Sequence, residues 1–204
     1  MEKSYFILTK SPVYLAAFLI LCQLLLTPTL AETKKDLLGR VSDCTAWQTE
    51  PYMQAGKLRE KGDCQSALRL YDAAIAKAGP EAESSLFYQR GETYFQMKNY
   101  QRALENYSIA LSKHSDDYLA NLQMAFCWYK LGDYKKARID LRDSQRICPT
   151  PSAQCLNGLL FAQESKSKEA LANLKACLAK DSVSYLTEDQ QNEAKKTIAL
   201  LERK

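Results

Sequence analysis

Small and large apolar residues recur along this chain at a nearly constant spacing. Ala55, Gly91, Ala125 and Gly158 occupy equivalent positions in four successive copies of one pattern. A period of roughly 34 residues, with apolar positions at helical spacing inside each copy, predicts consecutive pairs of helices that stack on one another. The small residues are expected to let paired helices approach closely. Large apolar residues expected between neighbouring pairs are Leu58, Tyr94, Trp128 and Phe161.

Turn signals divide each copy into a first helix, helix A, and a second helix, helix B. In the third copy Gly132 is suited to the left-handed position that ends helix A. Pro149 and Pro151 follow helix B of the same copy and stop it. In the second copy Asn99 is expected at the left-handed position, since Asn tolerates that conformation better than most residues.

Both ends of the helical stack are predicted to carry capping helices, because a stack of this kind needs its open ends covered. Residues 32–47 predict an N-terminal helix, and residues 184–204 predict a C-terminal capping helix. In the latter, Thr187 and Gln190 have capping-box spacing. The apolar stripe expected to cover the last helical pair consists of Ala194, Ile198 and Leu201.

Two segments, GETYFQMKNYQRALENYSIAL and AFCWYKLGDYKKARIDLRDSQRICP, resemble tetratricopeptide repeats. The resemblance extends over about residues 48–183 and is weaker in the fourth copy, where Lys166-Ser167 replaces the Gly-Asp turn. It implies an all-α, right-handed solenoid of about four helical hairpins, with an N-terminal helix and a C-terminal capping helix. The repeats are expected at residues 48–81, 84–117, 118–150 and 151–183.

The N-terminal segment, residues 1–31, is predicted to form a signal peptide. Lys3 and Lys10 precede an apolar run over residues 13–26, and the small residues Thr29 and Ala31 suit a cleavage site. The run is shorter than the roughly 20 residues that span a bilayer, so a cleaved leader is favoured over an uncleaved anchor. We therefore expect export to a periplasm, a secretory lumen or the extracellular space, with no membrane insertion after cleavage.

Charge and residue motifs argue against several classes of function. The full chain carries a formal net charge of +4, too mild to indicate nucleic-acid binding. His114 is the single histidine and lies beside Asp116 and Asp117, where a surface role is favoured over general-base catalysis. No Cys/His spacing typical of zinc sites occurs, and no nucleotide-binding or hydrolase motif. The sequence predicts no enzyme, no metal and no cofactor, and a monomer is favoured.

The resemblance also implies that helix A of each repeat lines a concave surface. Six apolar or aromatic residues on this surface are expected to form an exposed patch with charged residues beside it. The predicted partner-binding residues are Tyr52, Arg59, Tyr88, Glu92, Phe95, Leu122, Phe126, Tyr129, Lys130 and Leu159. An exposed patch of this kind usually marks a contact site. Two alternatives stay open: the N-terminal helix covers the patch, or Phe95 and Phe126 belong to the core.

Six cysteines follow the leader, and export would allow disulfides. Cys148 ends helix B of the third copy and Cys155 begins helix A of the fourth, so antiparallel packing makes them the first candidate pair. Cys44 and Cys64 are the second candidate pair. Cys177 could compete for Cys155, or it could be a buried, unpaired thiol.

These observations predict a non-enzymatic adaptor that works in a secretory or envelope compartment. Its concave surface would bind a protein or peptide partner, as an extended segment or an amphipathic helix. One alternative is a self-associating scaffold that docks through its outer face. Another is a redox role for Cys148 and Cys155, although their surroundings lack the features that activate a thiol.

Overall fold

The computed structural model describes residues 51–203. The predicted signal peptide (1–31), the predicted N-terminal helix (32–47) and Cys44 lie outside the described residues. Within them the chain folds into nine α-helices without β-strands. Their bounds are residues 51–60 (α1), Cys64–Ala78 (α2), Ser84–Gln96 (α3), Tyr100–Lys113 (α4), Tyr118–Leu131 (α5), Tyr134–Ile147 (α6), Pro151–Gln163 (α7), Ser167–Cys177 (α8) and Glu188–Leu201 (α9).

Consecutive helices pack as hairpins, and the hairpins stack in chain order. The pairs α3–α4, α5–α6 and α7–α8 make the most extensive contacts, followed by α4 against α5 and α2 against α3. The final helix, α9, packs on both α7 and α8. The predicted all-α solenoid of helical hairpins is therefore confirmed. None of the helices between residues 51 and 203 is both long and apolar enough to cross a bilayer.

The four hairpin turns share one backbone geometry. One residue in each turn has a positive φ, and the next residue is the N-cap of helix B. The residues with positive φ are Gly62 (85°), Lys98 (59°), Gly132 (83°) and Ser165 (61°). Asn99 was expected at this position, but it is the N-cap of α4, where its side-chain oxygen accepts a hydrogen bond from the backbone N–H of Arg102. An N-cap needs such an acceptor, which Lys98 cannot supply.

The repeated small residues have the steric role that the sequence predicts. A Cβ atom on Gly91 would lie 2.7 Å from Cε1 of Tyr107, and one on Gly158 would lie 2.7 Å from Cγ of Leu174. No carbon pair tolerates that distance, so the two helices of the second and fourth hairpins could not pack this closely around a larger residue. The equivalent residues in the other two hairpins, Ala55 and Ala125, are fully buried.

Shared side chains connect the core clusters of the second, third and fourth hairpins. Trp128 packs against the apolar cluster of α4 and α5 on one side and against the cluster of α5, α6 and α7 on the other. This is the position between neighbouring pairs that the sequence predicts. At the C-terminal end, Ala194 is buried and Ile198 packs on the cluster of α7 and α8. The predicted capping box of Thr187 and Gln190 is confirmed, with both of its hydrogen bonds present.

Candidate functional site

A cavity of about 540 Å³ lies where α1, α3, α5 and α9 face one another. We call this cavity the groove. Its walls combine three cationic side chains, three carboxylates, several uncharged polar groups and three aromatic rings. The lining residues are Arg59, Glu92, Phe95, Gln96, Lys98, Tyr100, Gln123, Phe126, Lys130, Thr187, Asp189, Gln190 and Glu193. Polar and apolar atoms therefore contribute about equally to the surface of the groove.

Glu92 is the most buried carboxylate of the groove. The Tyr107 hydroxyl donates a hydrogen bond to Glu92 Oε1 at 2.5 Å, and the Arg59 guanidinium lies 3.7 Å from Oε2. Burial raises the pKa of Glu92, while the hydrogen bond from Tyr107 and the charge of Arg59 oppose that rise. Tyr107 is itself fully buried, which raises its pKa. Glu92 is thus held in place by two partners on different helices.

The C-terminal helix supplies one wall of the groove. Glu193 on α9 accepts a hydrogen bond from the Tyr129 hydroxyl at 3.2 Å and forms an ion pair with Lys130 at 2.5 Å. Both partners lie on α5, far earlier in the chain. Burial raises the pKa of Tyr129, and the charge of Glu193 raises it further. The chain therefore covers part of the surface of α5 with its own C-terminal helix.

Five of the ten predicted partner-binding residues line the groove, and they come from three helices. These five are Arg59, Glu92, Phe95, Phe126 and Lys130. The structure adds an uncharged polar set and the α9 wall, neither of which the sequence-based selection contained. Gln96 occupies a position of helix A that the repeat pattern predicts to face inward, and Gln123 directly follows another, Leu122. The repeat pattern is therefore the signal that could identify both. No repeat pattern marks Glu193 as a residue of the groove.

The other aromatic residues of the predicted set lie beside the groove. Tyr52 accepts a hydrogen bond from the Gln89 side chain at 3.1 Å, which joins α1 to α3. Tyr88 packs against Tyr107 with ring centroids 5.6 Å apart. The rings of Tyr129 and Tyr134 pack with centroids 5.8 Å apart, and the Tyr129 hydroxyl donates a hydrogen bond to Glu193. All three predicted residues are half-buried and contact other helices of the array.

The expected exposed apolar patch is wrong for three residues. Leu122, Phe126 and Leu159 are 4%, 3% and 1% exposed. Leu122 and Phe126 pack in the cluster that joins α5, α6 and α7, and Leu159 packs under α9. Neighbouring helices cover these side chains because successive hairpins overlap along helix A. The alternative that Phe126 belongs to the core is confirmed, whereas Phe95 is half-buried and also lines the groove.

The structure does not support the predicted disulfide between Cys148 and Cys155. Both cysteines are free. Cys148 caps the C-terminal end of α6, whereas the Cys155 thiol packs in the cluster of α7, α8 and α9 and lies 3.8 Å from the carbonyl oxygen of Gln190. The Cys155 side chain is therefore oriented toward α8 and α9. Cys64 is buried, and its predicted partner lies outside the described residues, so that pairing stays a prediction.

His114 is exposed at the C-terminal end of α4. Between residues 51 and 203, no group of three or more His, Cys, Asp or Glu residues is placed to hold a metal ion.

The sequence and the fold both match a known repeat family. Residues 88–150, less than a third of the chain, match a tetratricopeptide repeat model. No functionally curated protein matches the chain. A solved structure of TTC0263, a thermophilic TPR protein of Thermus thermophilus, is 21% identical with a TM-score of 0.60, over 76% of this chain and 80% of that one.

Two further solved structures support the same fold. A tetratricopeptide repeat protein from Parabacteroides merdae ATCC 43184 is 22% identical with a TM-score of 0.56, over 77% of this chain and 60% of that one. MamA from Desulfovibrio magneticus RS-1, residues 41 to the end, is 15% identical with a TM-score of 0.58, over 77% and 94%. At these identities the likeness shows the fold alone. With the repeat match over residues 88–150 and the four hairpins, it shows that the described chain has the fold of tetratricopeptide repeat proteins, a fold that generally mediates protein–protein interaction.

Proposed function

We propose that this chain is a non-enzymatic adaptor that binds an extended segment of a partner protein in the groove. The observation that carries the proposal is the composition of the groove, where hydrogen-bonding groups from α1, α3, α5 and α9 surround a space of about 540 Å³. Arrays of repeats use concave surfaces of this kind to hold their partners.

An extended segment suits the groove better than an amphipathic helix. A helix bound in a groove needs a continuous apolar surface, and Leu122 and Leu159 are instead buried in the core. An extended peptide presents backbone N–H and C=O groups that need partners. Gln96 and Gln123 can satisfy both kinds of group, since a side-chain amide donates and accepts. Phe95 offers a ring for one apolar side chain of the partner.

The charges of the groove favour a partner segment without a large net charge. Arg59 pairs with Glu92, and Lys130 pairs with Glu193. Lys98 and Asp189 add one further charge of each sign. A balanced groove attracts neither strongly acidic nor strongly basic segments. Binding is therefore expected to depend only weakly on salt concentration.

The proposed compartment is a secretory or envelope space. This part of the proposal is supported by the leader-like pattern of residues 1–31, with basic residues, an apolar run and small residues in that order. Expression of the full chain in its native host, followed by fractionation and N-terminal sequencing, tests it. An N-terminus at Glu32 in an exported fraction is the expected result. A cytosolic protein that retains Met1 would overturn this part.

Selection from a library of displayed, unstructured peptides tests the groove itself. Selected peptides should bind the Gln123→Ala and Gln96→Ala variants at least about fivefold more weakly, because each loses more than about 1 kcal/mol of contact energy. Gln101→Ala is the matched control, since Gln101 is exposed at the start of α4 and does not line the groove. Equal binding by all three variants, at equal thermal stability, would refute the groove as the binding site.

Sedimentation of the same proteins separates the adaptor from a self-associating scaffold. We expect a monomer at micromolar concentration. A dimer that persists in Gln96→Ala and Gln123→Ala would favour association through the outer face.

A further inference from the structure

The two helices of the last hairpin, α7 and α8, approach each other closely at Gly158. A Cβ atom there would meet the Leu174 side chain at 2.7 Å, so these two residues face each other. Cys155 lies three residues before Gly158, and Cys177 lies three residues after Leu174. Because α7 and α8 are antiparallel, three residues backward along α7 and three residues forward along α8 lead in the same direction along the helix axes. Cys155 and Cys177 therefore lie at the same level on facing sides of α7 and α8, about one helical turn from this close approach.

The contacts of the two thiols agree with this placement. Cys155 and Cys177 are fully buried in one apolar cluster, with Leu159, Leu186 and Ala194 around them. Contact between the two thiols shifts the pKa of each of them. Cys177 Sγ also lies 3.2 Å from the carbonyl oxygen of Leu174. The two side chains thus share one buried cluster between α7 and α8.

We propose that Cys155 and Cys177 form a disulfide that joins the two helices of the last hairpin. The oxidant is a small-molecule or protein disulfide. One cysteine thiolate attacks a sulfur of that disulfide and releases one thiol, which leaves a mixed disulfide on the protein. The second cysteine then attacks the protein-bound sulfur and releases the second thiol. Two protein thiols are oxidised, one external disulfide is reduced to two thiols, and the protons pass to the released sulfur atoms.

The burial of the pair determines when this reaction takes place. The contact with Cys177 and burial raise the pKa of the Cys155 thiol above its usual range, and the same contact lowers the pKa of Cys177. The Cys155 thiolate is therefore scarce in the folded protein, and α9 covers the site through the carbonyl oxygen of Gln190. Oxidation is accordingly fast before α9 docks and slow afterwards. A disulfide formed in this way is also protected from later reduction.

Peptide mapping of the full chain tests the proposal. Reduced, unfolded protein is refolded with a mixture of oxidised and reduced glutathione, and the remaining thiols are alkylated under denaturing conditions. The expected product carries a cross-link between the peptides that contain Cys155 and Cys177, and Cys148 is alkylated. A refolded, helical protein in which both Cys155 and Cys177 are alkylated would overturn the proposal. So would a cross-link from Cys155 to any other cysteine.

Thermal melting with and without reductant gives an independent measurement. The bond closes a loop between residues 155 and 177 in the unfolded chain, so oxidation should raise Tm by roughly 5–10 °C. Cys148→Ala should keep this difference, whereas Cys155→Ala and Cys177→Ala should lose it. An oxidised wild-type protein that melts at the same temperature as the reduced one would count against the bond. If an alanine variant fails to fold, the wild-type peptide map still decides.

Discussion

Asp140, on the outer helix α6, carries a buried carboxylate oxygen that lacks a hydrogen-bond partner among the described residues. This atom is Oδ2. Burial raises the pKa of Asp140 to about 6; a hydrogen bond with Trp128 partly opposes that rise, and the nearby charge of Asp143 adds slightly to it. A carboxylate in such a position is more easily protonated in the folded chain than in the unfolded chain. Its charge therefore opposes folding at neutral pH.

The substitution Asp140→Asn should stabilise the protein at neutral pH and not in acid. The folded-state pKa of about 6 lies above the unfolded value near 3.8, so the penalty of the charge grows as pH rises between those values and is complete above them. The site is partly exposed, and solvent reduces the gain at pH 7 to no more than about 1 kcal/mol. Urea unfolding at pH 4 and pH 7 measures it, with Asp116→Asn on an exposed loop as the control. An equal effect of Asp140→Asn at both pH values would contradict the assignment.

Residue types in the sequence predicted local packing better than they predicted exposure. Gly91 and Gly158 were expected where helices approach closely, because the absence of a side chain has only a few structural uses, and both are in such positions. Phe126 was expected on an open surface and lies in the core. The position of Phe126 within helix A is as predicted, and only its exposure differs from the prediction. Whether a ring on that face meets solvent depends on the next hairpin, and the residue itself carries no information about that neighbour.

At the scale of the helical elements, the four hairpin turns differ in how well their residues suit the backbone. Gly62 and Gly132 adopt the left-handed conformation without cost, whereas Lys98 and Ser165 carry a Cβ atom that disfavours it. The fourth turn is unfavourable in a second respect. Its N-cap is Lys166, whose side chain forms no capping hydrogen bond. The weaker resemblance of the fourth copy to the repeat pattern thus corresponds to a less favourable turn.

Glycine at the fourth turn should therefore stabilise the array. Ser165→Gly removes the steric cost of the positive φ and should raise the free energy of unfolding by roughly 1 kcal/mol. Gly132→Ala is the matched reverse change and should lower it by a similar amount of about 1 kcal/mol, since no atom lies within 4 Å of the added methyl group. Urea denaturation followed by circular dichroism measures both. A destabilising Ser165→Gly, or a neutral Gly132→Ala, would show that the turns do not limit stability.

The sequence predicts the boundary and the apolar stripe of the C-terminal helix, but not its role in the groove. Its N-terminal boundary and its apolar stripe follow from short-range spacing, and the capping box at Thr187 is present as predicted. Its role as a wall of the groove does not follow from that spacing. Glu193 reaches α5 because α9 packs across α7, and this arrangement results from contacts between elements that are distant in sequence.

In the described array as a whole, the free energy of opening is expected to differ from one hairpin to the next. Each hairpin packs mainly on its neighbours in the chain, so a stack of repeats can open from one end while the rest stays folded. The contact of Glu193 with Tyr129 and Lys130 bypasses the fourth hairpin and connects the C-terminal helix directly to the third. It therefore restrains the end of the array and one wall of the groove together.

Removal of this contact should loosen the C-terminal end selectively. Glu193→Ala deletes a partly exposed ion pair and a hydrogen bond, a loss of about 1 kcal/mol that corresponds to roughly fivefold faster opening of α9. Hydrogen exchange measured by mass spectrometry should show faster exchange in α9 and in α7, which α9 covers, and no change in α3 and α4. Asn192→Ala, one residue earlier and exposed, is the matched control and should change neither region. The exchange rate of α9 in Glu193→Gln should lie between the rates in Glu193→Ala and Asn192→Ala. The amide oxygen of Gln still accepts a hydrogen bond from the Tyr129 hydroxyl, but the uncharged amide no longer attracts Lys130. Equal acceleration in all helices would mean that the hairpins open as a single unit, and the groove wall formed by α9 could then not move independently of the array.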